Sequence, residues 1–223
     1  HQPDRPPLPL MRNETVIEAP MDRSTLTRRY TEESIRFIKA NKDKPFFLYL
    51  AQAMPGSTDR PFASEKYQGK SVNGPYGDAV EELDWSCGEI MKTLKELGLD
   101  KRTLVVWTSD NGAVGWMPRQ GSNAPLKGYG YDTSEGAQRV PCIVRWPGRV
   151  PAGIVRDDIT TMMDFFPTLA ALTGIAVPCD RRIDGNDVRP ILFNASEASS
   201  VYDETGFFYY HMAMYRQQQA IDG

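Results

Sequence analysis

The feature that most constrains the fold is an apolar stripe of helical spacing between two short, continuously apolar runs. The first run covers residues 45–51, the stripe extends from Tyr76 to Leu97, and the second run covers residues 103–108. A continuous apolar run is typical of a strand buried on both faces. Strand, helix and strand in this order predict a right-handed crossover between parallel strands. We therefore expect an α/β fold with a mostly parallel sheet flanked by helices.

The helical stripe is spaced alternately by four and three residues, which indicates one face of a core helix. Its members are Tyr76, Val80, Leu83, Cys87, Ile90, Leu94 and Leu97. Gly98 follows them where a helix-ending glycine is common. The stripe therefore predicts one long helix that ends at about residue 97.

Shorter elements are predicted on either side of this core. Thr31 is a candidate N-cap for a helix that ends near Asn41. Residues 140–146 read as a third apolar strand, and Asp164 is the expected cap of a helix over residues 165–173. These elements complete the predicted α/β domain.

The domain organisation is predicted from texture along the chain. Residues 1–195 are assigned to the α/β domain, with residues 1–25 as an irregular, proline-rich lead-in that could hold one edge strand. Residues 196–223 are assigned to the start of a small C-terminal subdomain, because two aromatic or alternating segments there read as a hairpin of an antiparallel sheet. Since the first residue is His1 rather than Met, and residues 1–10 lack the apolar core of a signal peptide, we expect an interior or processed piece of a longer polypeptide.

Composition excludes several function classes. The net charge of −3 gives no global field that favours nucleic acid, and no apolar run is long enough to span a membrane. Histidine occurs only at positions 1 and 211, which disfavours a histidine-rich metal site or an internal catalytic triad. The three cysteines form no metal or redox motif; one disulfide is possible, but inert buried thiols are the favoured interpretation.

Asp110 and Asn111 are the strongest candidates for chemistry. They follow the predicted strand 103–108, at the edge of a parallel sheet where ligands bind. A carboxylate and an amide oxygen are hard ligands of the kind that Ca²⁺ or Mg²⁺ takes. The alternative, which local sequence alone favours, is an Asx turn with Gly112 at positive φ. Both interpretations stay open at this point.

Six segments carry a family resemblance. They read PFFLYL (45–50), YGD (76–78, leading to Leu97), TLVVWTSDNG (103–112), EGAQRVP (135–141), RWPG (145–148) and DFFPTL (164–169). Their order and spacing resemble the later half of the type I sulfatases, the arylsulfatase-like enzymes, from about residue 31 to residue 221.

The resemblance implies an alkaline-phosphatase-like α/β fold and hydrolysis of sulfate esters on a sulfated small molecule or sulfated glycan. It implies a Ca²⁺ ion, or Mg²⁺, with Asp110 and Asn111 among its ligands. The formylglycine nucleophile and the other acidic ligands are expected in the N-terminal half of the same polypeptide, which this chain lacks. An extracytoplasmic location (periplasmic, secreted or lysosomal) is favoured by the family.

The chain departs from the family pattern at three places. The Cys/Ser-x-Pro/Ala-x-Arg motif is absent, Gly56 stands where the family offers a histidine, and Gly130 stands where it offers a lysine. Lys127, the only cation within residues 122–134, is the remaining catalytic candidate. If the anion site persists, a lysine restored at position 130 should strengthen it.

Three functions follow from these observations. The first is that of the C-terminal portion of a sulfate ester hydrolase, a chain that we expect to be inactive alone. The second is a non-catalytic module that binds an anionic or sulfated ligand or a partner, favoured by the departures at positions 56 and 130. The third is hydrolysis of phosphate esters or phosphonates on the same fold.

Overall fold

The computed structural model describes residues 7–56, 62–115, 121–194 and 198–205. The chain divides into two compact units. The first comprises His1–Leu99 and Val114–Ser122, and the second comprises Asp100–Ala113 and Asn123–Gly223. Each unit is described separately below.

The first unit begins with a hairpin. Strands β1 (Leu10–Arg12) and β2 (Thr15–Glu18) pair antiparallel, with a register irregularity between Leu10 and Met11. Asn13 occupies the tight turn with φ of 52°, a conformation that asparagine tolerates better than most residues. The lead-in is thus more regular than predicted, because the Asn-containing turn brings two short strands together.

Helix α1 covers Leu26–Ala40 and is capped at its C-terminus by Asn41, as expected. The prediction that Thr31 caps its N-terminus is wrong. Thr31 lies inside the helix and is buried, where its hydroxyl donates to the Thr27 carbonyl at 2.7 Å. A threonine can satisfy its hydroxyl in this way within a helix, so the residue type alone does not mark the start.

Helix α2 covers Gly74–Glu96, and Gly98 follows in the left-handed region with φ of 67°. The predicted helix and its end are therefore confirmed. The buried face is turned relative to the predicted stripe, because Ala79, Glu82 and Ser86 are buried whereas Val80 is 41% exposed. Small and polar residues face α1 here, since the Thr31 and Ser86 hydroxyls approach to 2.6 Å.

Within the described residues, the apolar run 45–51 forms no strand and pairs with no neighbour. Burial on both faces was predicted, yet Phe47 and Tyr49 are 74% and 81% exposed. Phe46, Leu48 and Leu50 are half-buried, so burial alternates along the run. An apolar run indicates a preference for burial, but a strand also requires a neighbouring strand with which its backbone can form hydrogen bonds.

The second unit contains strands β3 (Val105–Thr108) and β4 (Cys142–Arg145). They pair antiparallel, with Trp107 opposite Ile143. The second and third predicted strands therefore exist, but both sheets among the described residues are two-stranded and antiparallel. The parallel crossover between the run 45–51 and β3 stays a prediction.

Helices α3 (Glu135–Gln138), α4 (Phe165–Thr173), α5 (Arg189–Leu192) and α6 (Val201–Thr205) complete the second unit. The predicted bounds of α4 are confirmed, and Gly174 ends it with φ of 73°. Asp164 caps the short 3₁₀ turn before α4, together with Thr161, and it also accepts a hydrogen bond from the Tyr202 hydroxyl at 2.6 Å.

Three further predictions concern the chain ends and the thiols. The C-terminal hairpin lies outside the described residues, as does the expected domain boundary at residues 195 and 196. The expectation of buried thiols is wrong, because Cys142 and Cys179 are exposed and Cys87 is half-buried. No helix in the described part of the chain combines the length and the apolar character that a membrane crossing needs.

Candidate functional site

The candidate site residues follow β3 directly. The strand ends at Thr108, which pairs with Cys142, and Ser109 separates it from Asp110 and Asn111. Asp110 is exposed and Asn111 is half-buried. We call residues 109–113 the site loop. The structure therefore places the two candidate ligands side by side at the carboxyl end of β3.

Among the residues that the structure describes, the side chains of the pair make only local hydrogen bonds. The Asp110 Oδ1 atom accepts from the backbone N–H of Asn111 at 3.0 Å, and the Asn111 Nδ2 atom donates to the Gly112 carbonyl at 2.8 Å. An Asx turn binds an amide two residues on, and Gly112 is not at positive φ. The Asx-turn alternative is thus wrong in its details, and glycine at position 112 needs another explanation.

Close packing of backbone against backbone is that explanation. A Cβ at Gly112 would lie 1.8 Å from the Gly136 carbonyl oxygen. The Gly112 N–H donates to Ala137 at 2.9 Å, and the Gly136 N–H donates to the Lys127 carbonyl at 2.8 Å. We call residues 121–138 the glycine-rich loop. Glycine at position 112 allows the site loop and the glycine-rich loop to approach closely, because a side chain there would overlap the Gly136 carbonyl group.

Gly130 is held in the same way, and this corrects one expectation. Its N–H donates to the Ala113 carbonyl at 2.8 Å. A Cβ at Gly130 would lie 2.4 Å from the Gly112 carbonyl oxygen and 3.1 Å from Asn111 Nδ2. A lysine placed there could not restore a cation beside an otherwise unchanged site. It would push the site loop away first.

Gly56 in the first unit shows a similar restriction. It has φ of +63°, and a Cβ there would lie 2.9 Å from the Ala53 carbonyl oxygen. Both conditions disfavour any residue with a side chain. The backbone conformation at position 56, where the resemblance implies a histidine, therefore favours glycine.

Lys127 is exposed and contributes to the glycine-rich loop through its carbonyl group. Among the described residues its ammonium group forms no ion pair, and no hydrogen bond joins it to Asp110 or Asn111. Lys127 is thus an exposed cation of the glycine-rich loop with no ion-pair partner in the described part of the chain. Its catalytic role stays a prediction.

Asp132 shapes the same loop and was not singled out by the sequence. Its carboxylate accepts from the Ser134 hydroxyl and N–H and from the Tyr129 N–H. These hydrogen bonds, led by the one from the Ser134 hydroxyl, lower the pKa of Asp132 below its ordinary value. Asp132 is therefore held as a loop-forming carboxylate around Tyr131, which lies at φ of 74°.

Asn123 is the other residue that the sequence analysis missed. Its carboxamide accepts from the Ala113 N–H at 2.8 Å and donates to the carbonyls of Ala113 and Gly128, both at 3.0 Å. An asparagine after a glycine and a serine reads simply as loop composition. Only the close approach of the two loops gives its side chain three partners.

The donor set of the site loop fits part of a divalent metal site. Asp110 and Asn111 offer a carboxylate and an amide oxygen, whereas Ca²⁺ takes about six to eight oxygen ligands. Across residues 7–56, 62–115, 121–194 and 198–205, no group of three or more His, Cys, Asp or Glu side chains could hold a metal. The described residues supply two adjacent donors, and the remaining ligands would come from elsewhere.

Comparison with known proteins identifies relatives over most of the chain. The family model named Sulfatase matches residues 3–175. Human steryl-sulfatase is 42% identical over 207 residues, which is 90% of this chain and 35% of that protein. Mouse N-acetylgalactosamine-6-sulfatase is 37% identical over 219 residues, covering 92% of this chain and 41% of that protein. The chain thus spans well under half the length of these relatives.

Solved structures give the same result. The crystal structure of Ps i-CgsB has a TM-score of 0.73 at 31% identity and covers 84% of this chain and 42% of that chain. The PsFucS1 sulfatase from Pseudoalteromonas sp. has a TM-score of 0.71 at 33% identity, over 76% of this chain and 34% of that chain. These neighbours have the alkaline-phosphatase-like fold.

Proposed function

This chain belongs to the sulfatase family, and we propose that it is the later portion of a hydrolase of sulfate esters, in which Asp110 and Asn111 ligate Ca²⁺ or Mg²⁺. The observation that carries the proposal is the position of the pair. Two adjacent hard oxygen donors follow the end of β3. They lie in a loop whose later residues, Gly112 and Ala113, form backbone hydrogen bonds with the glycine-rich loop.

The electrostatics of the pair support this role. Asp110 is exposed, and among the described residues no lysine or arginine forms an ion pair with it. The Asn111 amide donates to Gly112, which orients its oxygen away from that carbonyl. When bound, a divalent cation would supply positive charge to the oxygens of a sulfate group.

The proposed substrate is a sulfated small molecule or a sulfated glycan, because the relatives include a steryl-sulfatase and an N-acetylgalactosamine-6-sulfatase. The nucleophile would come from another part of the polypeptide, because this chain holds no Cys/Ser-x-Pro/Ala-x-Arg motif. A formylglycine there, and an extracytoplasmic location, belong to the same proposal. For the isolated chain we expect no turnover.

The test measures metal binding and hydrolysis separately on the full-length protein that contains this chain. We expect Asp110→Ala to weaken Ca²⁺ binding at least roughly tenfold in calorimetry, and Asn111→Ala to weaken it less, because a neutral ligand contributes less charge. Hydrolysis of an aryl sulfate should fall in parallel. Asp43→Ala is the matched control, since Asp43 is an exposed acid whose ion pair among the described residues is with Lys42 alone.

Two results would contradict the proposal. If Asp110→Ala binds Ca²⁺ as the parent does, the pair is not part of the metal site. If the full-length parent hydrolyses phosphate esters or phosphonates but no sulfate ester, the same site serves the third function that the sequence leaves open.

A second candidate is a non-catalytic module that binds an anionic or sulfated ligand or a partner. A specific observation favours it: the two positions where the resemblance implies cationic groups are Gly56 and Gly130, and the backbone around each leaves little room for a side chain. A sulfate oxygen would therefore find fewer cations near it than in an active relative. Retention of a sulfated ligand by the full-length protein without hydrolysis would support this candidate.

A further inference from the structure

We propose that Asn123 is a positioning residue for the Asp110–Asn111 pair, acting through Ala113. This inference rests on the proposed function, because it takes the pair as metal ligands. The Asn123 carboxamide binds both main-chain groups of Ala113, with Oδ1 accepting at 2.8 Å and Nδ2 donating at 3.0 Å. The side chain thereby imitates the paired bonds that one strand makes with another.

The clamp extends to the glycine-rich loop. Asn123 Nδ2 also donates to the Gly128 carbonyl at 3.0 Å, and the Gly130 N–H reaches the same Ala113 carbonyl at 2.8 Å. Both N–H groups of the Asn123 carboxamide and one acceptor position of its oxygen therefore bind backbone. Ala113 is therefore fixed from two sides, although its own methyl side chain contributes no polar contact.

The site loop is then anchored at both ends. On one side, Thr108 pairs with Cys142 at the end of β3. On the other side, the Gly112 N–H donates to Ala137 at 2.9 Å and Asn123 holds Ala113. Asp110 and Asn111 lie between these anchors.

The pair needs such anchors because its side chains have few contacts of their own. Among the described residues, the Asp110 carboxylate accepts only from the Asn111 N–H, and the Asn111 side chain donates only to the Gly112 carbonyl. Their direction is consequently set by the main chain on either side. Residues that orient metal ligands from behind typically change metal affinity by roughly 10- to 100-fold when removed.

The test compares Ca²⁺ affinity with stability in the full-length protein. Asn123→Ala removes all three hydrogen bonds, whereas Asn123→Asp keeps the acceptor for the Ala113 N–H and loses both donations. We expect Ca²⁺ affinity to fall roughly 10-fold or more for Asn123→Ala and by a smaller factor for Asn123→Asp. Calorimetric titration with Ca²⁺ alone measures both, at a temperature where each variant is shown to be folded.

The control variant is Asn41→Ala. Asn41 also donates from its side chain to a backbone carbonyl, that of Phe37 at 2.7 Å, but at the end of α1. It should lose stability and keep its Ca²⁺ affinity. A merely structural role for Asn123 would give the same result as Asn41, so the split between affinity and stability separates the two roles.

The outcomes distinguish this inference from the proposed function. If Asp110→Ala weakens Ca²⁺ binding while folded Asn123→Ala and Asn123→Asp bind as the parent does, Asn123 does not position the pair and the proposed function stands. If Asn123→Ala does not fold, parent-like affinity in Asn123→Asp alone overturns the inference. If the parent binds no Ca²⁺, the proposed metal role itself is wrong, and the inference falls with it.

Discussion

The helix pair α1–α2 and the glycine-rich loop are both held by hydrogen bonds, but of different kinds. Between the helices, the Thr31 and Ser86 hydroxyls lie 2.6 Å apart, and the Gln52 amide donates to Ser86 at 3.0 Å. Where the glycine-rich loop meets the site loop, main chain binds main chain at distances that leave no room for a Cβ at Gly112 or Gly130. The helix pair therefore depends on which polar atoms its side chains carry, whereas the close approach of the site loop to the glycine-rich loop depends on the absence of a side chain at positions 112 and 130.

The largest effect should come from adding one carbon where the site loop packs against the glycine-rich loop. Gly112→Ala would place a Cβ 1.8 Å from the Gly136 carbonyl oxygen, so one backbone must move. We expect the free energy of unfolding to fall by about 3 kcal/mol, at the upper end of the cost of overpacking. Chemical denaturation monitored by tryptophan fluorescence measures it.

Gly88→Ala is the matched control for this prediction. Gly88 lies in α2, and a Cβ there would meet nothing within 4 Å. The substitution should stabilise the protein by about 0.5–1 kcal/mol, because alanine has the higher helix propensity. Equal effects of the two alanines would mean that close approach does not determine the loop.

The next effect concerns a buried carboxylate in the first unit. Burial alone would raise the pKa of Asp78. The hydrogen bonds from the backbone N–H groups of Ser71, Gly69 and Lys70 together lower the pKa by more than burial raises it, so the pKa lies below its ordinary value. Asp78→Asn should cost roughly 2 kcal/mol at pH 7, because a neutral amide replaces a charged acceptor.

The sign of the pH dependence follows from the depressed pKa of Asp78. A carboxylate with a lowered folded-state pKa contributes its full stability above its ordinary value of about 4, and loses it as the pH falls through the folded-state pKa. The difference between parent and Asp78→Asn should therefore shrink in acid. A stability difference between parent and Asp78→Asn that is independent of pH from 7 to 3 would contradict this prediction. Asp43→Asn is the exposed control and should change stability by under about 0.5 kcal/mol.

The smallest effect should appear at the polar contact between the helices. Thr31→Val keeps the shape of the side chain, and Ser86→Ala removes the partner, each at a cost of roughly 1–2 kcal/mol. The two hydroxyls contact each other, so their effects should not add. We expect the stability lost by the double variant to be smaller than the sum of the two single losses, by about 0.5 kcal/mol or more. Strict additivity in this double-mutant cycle would mean that the contact contributes nothing.

Local sequence signals predicted the elements whose bounds are set within the element itself. Helix α4 covers Phe165–Thr173 as expected, and Gly98 and Gly174 end their helices in the left-handed region. The strands β3 and β4 also lie within the predicted apolar runs. Thr31 was misassigned as a cap because its hydroxyl can bind a helical carbonyl as readily as an N-terminal amide.

The candidate site divides along the same line. The sequence by itself determined that Asp110 and Asn111 end an apolar strand, and the string of motifs pointed to the sulfatase family, because residue type and order are local properties. Only the tertiary structure decided why Gly130 is a glycine and what Asn123 does. Both depend on the approach of residues 112 and 113 to the glycine-rich loop. Such a distance joins backbone atoms that are separated in the sequence, so the residues next to Gly130 or Asn123 in the sequence do not indicate it.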